Sequence, residues 1–239
     1  MPYFQGFVVP VKTENQQPYL AMAKKVAPIF AEHGSTGLIE CWGEAVMDGK
    51  VTDFKKAVQA TGDETVVLSW LWWPNRATCD AAHQKIMADE SMKPSDPMPF
   101  DGKRMIFAGF DVVFDSGEAG KFGYADGVVA SVPDSKRQEF IDRAEKAASL
   151  FREKGALRVV NGWGADVPAG KVTDFQRAVQ AKPGETVIFG WIEWPDKATR
   201  EAGMGALMND PRMREIPMAW NGPLAIFGGF APILDTSHA

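Results

Sequence analysis

Three carboxylates are placed where an acid could do proton chemistry. Glu40 lies two residues from Trp42, Glu193 lies two residues from Trp191, and Asp126 opens the alternating run DGVVASV. Residues two apart on an extended strand share a face, so an acid and an indole at that spacing look into the same space. An acid among apolar rings loses hydration, its pKa rises, and it can exchange a proton near neutral pH. Glu40, Asp126 and Glu193 are therefore the candidate general acid–base groups. Trp42, Trp70, Trp72, Trp163 and Trp191 are the candidate walls around a planar ligand, with Gln5 and Asn161 as further polar groups.

This inner surface follows from alternation together with the premise that a helix-covered face carries small or aliphatic residues. On that premise Gly6, Cys41, Gly43, Ser69, Gly162 and Gly190 lie under helices, and Gln5, Glu40, Trp42, Trp70, Trp72 and their partners face inward. Apolar walls with a few convergent polar groups characterise small-molecule sites. The competing reading is a packed seam in which the tryptophans fill the space and the acids satisfy buried donors. A Pro-rich loop, DPMPFDGKR at 96–104, adds Met98, Phe100 and Arg104 as candidate contacts at a cavity mouth, with Lys103 beside them. Its counterpart IPMAWNGPL lacks both basic residues, which favours the first mouth for an anionic ligand.

The elements that must position these residues come from an internal repeat. Sliding the chain of 239 residues by 121 aligns CWGEAV with GWGADV and AVQATGDETVV with AVQAKPGETVI. WLWWPNRAT likewise falls on WIEWPDKAT, and a one-residue slip near Pro94–Ser95 brings PFDGKRMIFAGF onto AWNGPLAIFGGF. GKVTDF occurs unchanged at 49–54 and 170–175. Its needs are local: a turn at the Gly, a cap from Thr52 or Asp53, and an anchor at Phe54. The functional alternative puts Lys50 and Asp53 at a cavity mouth. The small, polar stretch DSGEAGKFG, 115–123, is the linker, and the units are residues 1–116 and 121–239.

Within the first unit, 3–11 alternates as a strand and 14–33 has helical spacing, with Thr13 and Gln16 suited to a capping box and Gly34 to a stop. Strands follow at 37–44 and 64–73, a helix capped by Asn75 at 76–88, and a strand at 104–114. The order β-α-β-β-α-β is the ferredoxin-like unit of the α+β class, whose sheet leaves one face bare. Two units in one chain cover those faces mutually, giving a single-chain pseudo-dimer with helices outside.

Composition bounds the partners. Apolar residues make up 45% and the net charge is −5, with Lys and Arg dispersed, so no basic track for nucleic acid is present. No apolar run approaches the length of a membrane span, and the N-terminus lacks a signal-peptide pattern, so a cytoplasmic location is expected. Cys41 and Cys79 stand opposite Gly162 and Arg200; His33 and His83 stand opposite Lys154 and Met204, and His238 lies in the tail. Neither a repeated thiol framework nor a symmetric histidine metal site follows, and no metal or cofactor is expected. The expected partner is a small molecule, with association of pseudo-dimers into a homo-oligomer as a further expectation.

The motifs GFVVPV, ECWGEAV, GKVTDF, AVQATGDETVVLSW, WPNRAT and DPMPFDGKRMIFAGF resemble the DUF1428 family of the dimeric α/β-barrel superfamily across both copies. The resemblance implies paired ferredoxin-like units and no established activity. It also implies an Asp where Asp126 stands and a Glu where Glu40 stands; Gln5 and Asn161 depart from that pattern, which favours one composite site over two equal ones. The wider superfamily includes cofactor-independent monooxygenases, haem-degrading enzymes and isomerases. That makes a cofactor-free oxygenase or isomerase one expectation, and a non-catalytic structural or assembly protein with a packed inter-sheet core the other.

Overall fold

A computed structural model describes residues 1–88 and 97–237; the alignment slip at Pro94–Ser95 and His238 lie outside the described residues. The first repeat runs β1 (Tyr3–Lys12), α1 (Gln16–Glu32), β2 (Gly37–Ala45), α2 (Phe54–Ala57), β3 (Glu64–Trp73), α3 (Arg76–Ala88) and β4 (Ile106–Gly117). The second runs β5 (Tyr124–Pro133), α4 (Arg137–Glu153), β6 (Arg158–Asp166), α5 (Phe175–Ala178), β7 (Glu185–Trp194), α6 (Lys197–Met208), α7 (Pro211–Glu215) and β8 (Ile226–Asp235). The β-α-β-β-α-β order thus holds in both repeats, with short α2 and α5 inserted in each.

Each repeat forms an antiparallel sheet, and the two join edge to edge into one closed barrel in the order β1-β3-β2-β8-β5-β7-β6-β4. The seams are β2 with β8 and β4 with β6. Closure leaves no unpaired sheet edge. The first three residues of the expected linker, Asp115 to Gly117, are part of β4 and pair with β6 at Val160, Val159 and Arg158.

The copied hexapeptide makes a reciprocal contact between the repeats. Thr52 Oγ1 donates to the Ala178 carbonyl and Thr173 Oγ1 to the Ala57 carbonyl, each at 2.6 Å. Asp53 caps α2 by accepting from Lys56 N at 2.7 Å and from Gly49 N at 3.0 Å, and Asp174 does the same for α5. A Cβ on Gly49 or Gly170 would lie 2.0 or 1.9 Å from the carbonyl oxygen of Thr52 or Thr173, so only glycine fits. Phe54 and Phe175 are buried in the barrel core. Identity across the copies therefore reflects a shared two-fold contact. One local expectation fails: Thr13 makes no capping box, because its hydroxyl donates to the Asp63 carbonyl instead. Asn75 does cap α3, accepting from Thr78 N.

Candidate functional site

The barrel interior is filled by side chains. Trp70 and Trp191, both fully buried, stack with centroids 4.3 Å apart. Phe4, Phe110 and Phe189 pack beside them, and Phe122 stacks over Trp70. The inter-sheet space is thus an aromatic core, as the packed-seam reading has it. Trp70, Trp72, Trp191 and Glu193 project into this interior, as alternation on β3 and β7 predicts.

On β1, β2, β5 and β6 the expected faces are reversed. Register pairs Gly6 with Trp70, Cys41 with Leu68, Gly127 with Trp191 and Gly162 with Phe189, so the small residues share the interior with the rings. A Cβ on Gly6 would lie 2.9 Å from the Phe189 ring, and one on Gly162 would lie 2.5 Å from Phe4. Small residues on these strands make room for aromatic rings, where the sequence reading assigns that room to helices. Gln5, Glu40, Trp42, Asp126, Asn161 and Trp163 consequently lie on the outer, helix-covered face.

That outer face carries a cavity of about 480 Å³ lined mainly by the second repeat, with Ala45 and Met47 from the first. Its floor includes Asp126 and Val128 from β5, Val159 and Asn161 from β6, Ile192 from β7 and Phe227 from β8. Its roof is the apolar stripe of α4, with Phe140, Ala144, Ala147 and Phe151, together with Met204 of α6; Met213, Met218 and Trp220 close one side.

Few polar groups reach this space. Asp126 accepts from Arg200 Nη2 at 2.6 Å and Nε at 2.9 Å, and from the Trp194 indole at 2.9 Å. Arg143 projects from the α4 stripe and stacks over the Trp220 ring at 4.1 Å. Its Nε and the Trp220 Nε1 are buried without a hydrogen-bond partner. Burial pushes the Arg143 guanidinium down to about 10, so it remains charged at neutral pH.

The corresponding residues of the first repeat bond to one another. Tyr19, the counterpart of Phe140, donates its hydroxyl to Glu40 Oε2 at 2.8 Å. Burial raises the Glu40 carboxyl to about 7, against the lowering effect of hydrogen bonds from Tyr19 and Ser69. Gln5 Oε1 accepts from the Trp73 indole at 3.1 Å and lies 3.1 Å from His83 Nε2. Phe100 packs edge-on against Tyr19, and Trp42 joins the same cluster. Arg104 grips both Glu64 oxygens at 2.7 Å and Asp101 at 2.8 Å, so its charge is matched within the protein. Met98 is exposed on that loop.

Glu193 lies apart from both helix-covered spaces. It accepts from the Trp191 indole at 2.8 Å, and burial raises its carboxyl to about 7. Arg158 stands 3.8 Å away, stacked on Trp72 and bonded to Asp115. Trp163 packs on Phe140 beneath Arg137. Among the described residues, no group of three or more His, Cys, Asp or Glu is arranged to hold a metal.

The family model for proteins of unknown function DUF1428 matches residues 2–102 and again 123–222. The chain belongs to the DUF1428 family. Each match covers one repeat, so this DUF1428 chain is a tandem duplication. It is 49% identical over 116 residues to the uncharacterised protein YbaA of Escherichia coli strain K12, covering 48% of this chain and 99% of YbaA. A candidate monooxygenase from Fusobacterium nucleatum superposes with a TM-score of 0.62 at 14% identity, over 98% of this chain and 93% of its own. An anthrone oxidase-like protein superposes with a TM-score of 0.55 at 12% identity, over 100% and 94%. At such identities the likeness is one of fold: a ferredoxin-like α/β barrel.

Sequence reasoning misses Arg143, Arg200, Trp194 and Phe140 in the DUF1428 chain. A signal for Arg143 exists: it interrupts the apolar stripe of its helix at the position where the first repeat has Met22. Arg200 likewise replaces Cys79, opposite the change from Gln5 to Asp126.

Proposed function

We propose that the chain binds one small, planar and mostly apolar molecule in the cavity between α4, α6 and the outer barrel face of the second repeat. The observation carrying this reading is the cavity itself, about 480 Å³, walled by aromatic and methionine side chains with few polar groups. Its size and lining match those of small-molecule sites. The scaffold shared with a candidate monooxygenase and an anthrone oxidase-like protein supports the reading at the level of fold. Among described residues, no helix is long and apolar enough to cross a membrane.

Cofactor-free oxygenation or isomerisation is the catalytic extension of this proposal. Asp126 is then its acid–base group, since it lines the cavity while Glu40 and Glu193 lie elsewhere. The bidentate grip of Arg200 on Asp126 suits positioning better than proton abstraction, which favours binding over catalysis.

Titration with methyl 2-naphthoate, followed by tryptophan fluorescence and thermal shift, tests the proposal. Binding should quench fluorescence saturably and raise the melting temperature. Ala144→Leu, which fills the roof, should abolish both effects while the variant stays folded. Binding that survives Ala144→Leu would place the ligand elsewhere and defeat the reading, as would binding of neither the ester nor its parent acid, 2-naphthoate, to the natural protein.

A further inference from the structure

We propose that the molecule held in this cavity is a monoanion, a planar apolar acid whose carboxylate lies against Arg143 and the Trp220 indole N–H. The inference rests on the reading of the cavity as a ligand site and adds the charge of the ligand.

Two donors meet at the cavity wall without acceptors. Arg143 Nε and Trp220 Nε1 are both buried and unpartnered, and their side chains are stacked on each other at 4.1 Å. Stacking covers one face of the guanidinium and leaves its buried Nε–H without an acceptor. A buried N–H without an acceptor opposes folding, and buried polar groups are almost always paired. The helix position itself does not require an arginine, because the first repeat places Met22 there. The missing partner is therefore sought in the ligand.

Charge balance specifies that partner. Arg200, the other cation on the wall, is held by both oxygens of Asp126, so Arg143 supplies the net charge of the cavity. One uncompensated cation matches one negative charge. A guanidinium fork fits a carboxylate in geometry, and the indole N–H offers a third donor beside it. A phosphate monoester, with its second charge and extra oxygens, would remain under-paired against the apolar walls. The hydrocarbon part of the acid would lie along Phe140, Ala144 and Met204.

A matched pair of probes tests this, 2-naphthoate and its neutral methyl ester, titrated at pH 7.5. The natural protein should bind the acid about tenfold or more tightly than the ester. Arg143→Met should weaken the acid by about tenfold and leave the ester within about twofold, while Arg143→Lys should keep part of the preference. Equal affinity for the two probes in the natural protein would overturn the anion inference and leave the cavity reading intact. Binding of neither would overturn both. The comparison in the natural protein decides even if the Arg143 variants fail to fold.

Discussion

At equivalent stations of the repeat, Tyr19 reaches Glu40 in one half, whereas Phe140 and Asn161 line a cavity in the other. In the first half the polar groups between helix and sheet find each other: Tyr19 with Glu40, and Gln5 with Trp73 and His83. In the second half Asp126 and Arg200 pair, but Arg143 and Trp220 face a cavity with donors unmatched. Duplication within one chain permits this divergence. A homodimer must change both sites at once, whereas a pseudo-dimer can close one helix–sheet space with internal bonds and leave the other open.

The largest expected effect separates the barrel interior from the cavity. Trp70→Ala should cost about 3–5 kcal/mol of stability, because a fully buried ring stacked on Trp191 leaves a void. Trp220→Ala, at a half-buried wall position, should cost about 1 kcal/mol but weaken probe binding. Chemical denaturation alongside probe titration checks both. Equal stability losses would erase the distinction between core and site.

The next effect is pH-dependent and belongs to the closed half. The folded-state pKa of Glu40 is raised from 4.5 to about 7 by burial, so the folded protein holds this proton more tightly than the unfolded chain. Its contribution is fully present below pH 4.5 and is lost as pH rises through 7. Glu40→Gln retains an acceptor for Tyr19 and removes the titration. It should be more stable than the natural protein by about 2–3 kcal/mol at pH 8, with the gain vanishing near pH 4.5. Glu193 contributes a slope of the same sign to both proteins, so the difference between their unfolding curves isolates Glu40. Parallel curves across pH would mean that Glu40 is not the buried acid of this half.

Much of this architecture is legible in the sequence. Strand and helix periodicity yields the element order, and the repeat yields the pseudo-dimer. The faces of β3 and β7 are readable because three large residues alternate with small or aliphatic ones on each. The faces of β1, β2, β5 and β6 are not, because a small residue is equally consistent with a helix above it or a ring beside it. Only the register, which pairs Gly6 with Trp70 and Gly127 with Trp191, distinguishes the two. The site moved with those faces: the inter-sheet space is packed, and Gln5, Glu40, Asp126 and Asn161 lie beneath helices. Arg143 is visible as a charge inside an apolar helical stripe, but its lack of a counter-ion among the described residues is a fact of three dimensions.

A smaller effect sharpens the open half. Asp126→Asn should cost about 2 kcal/mol, since it leaves Arg200 without its carboxylate while partial exposure, 25% for the Arg200 side chain, limits the loss. Arg200→Cys should cost a similar amount. The double variant, which brings this corner closer to Gln5 and Cys79 of the first half, should cost less than the two single losses together. Additive losses in a double-mutant cycle would show that the two residues act independently.

The smallest effect tests what the halves still share. Thr52→Val and Thr173→Val each remove one hydroxyl donor from a buried carbonyl, at about 1 kcal/mol apiece. Because the two bonds have the same length and join equivalent positions, the two costs should agree within about 0.5 kcal/mol. Probe affinity should not change in either variant, as neither threonine lines the cavity. Unequal costs would place the divergence of the halves in the seam between α2 and α5 as well as in the helix–sheet spaces. Equal costs would mean that the copied hexapeptide keeps the two-fold frame while the site above one sheet is free to differ.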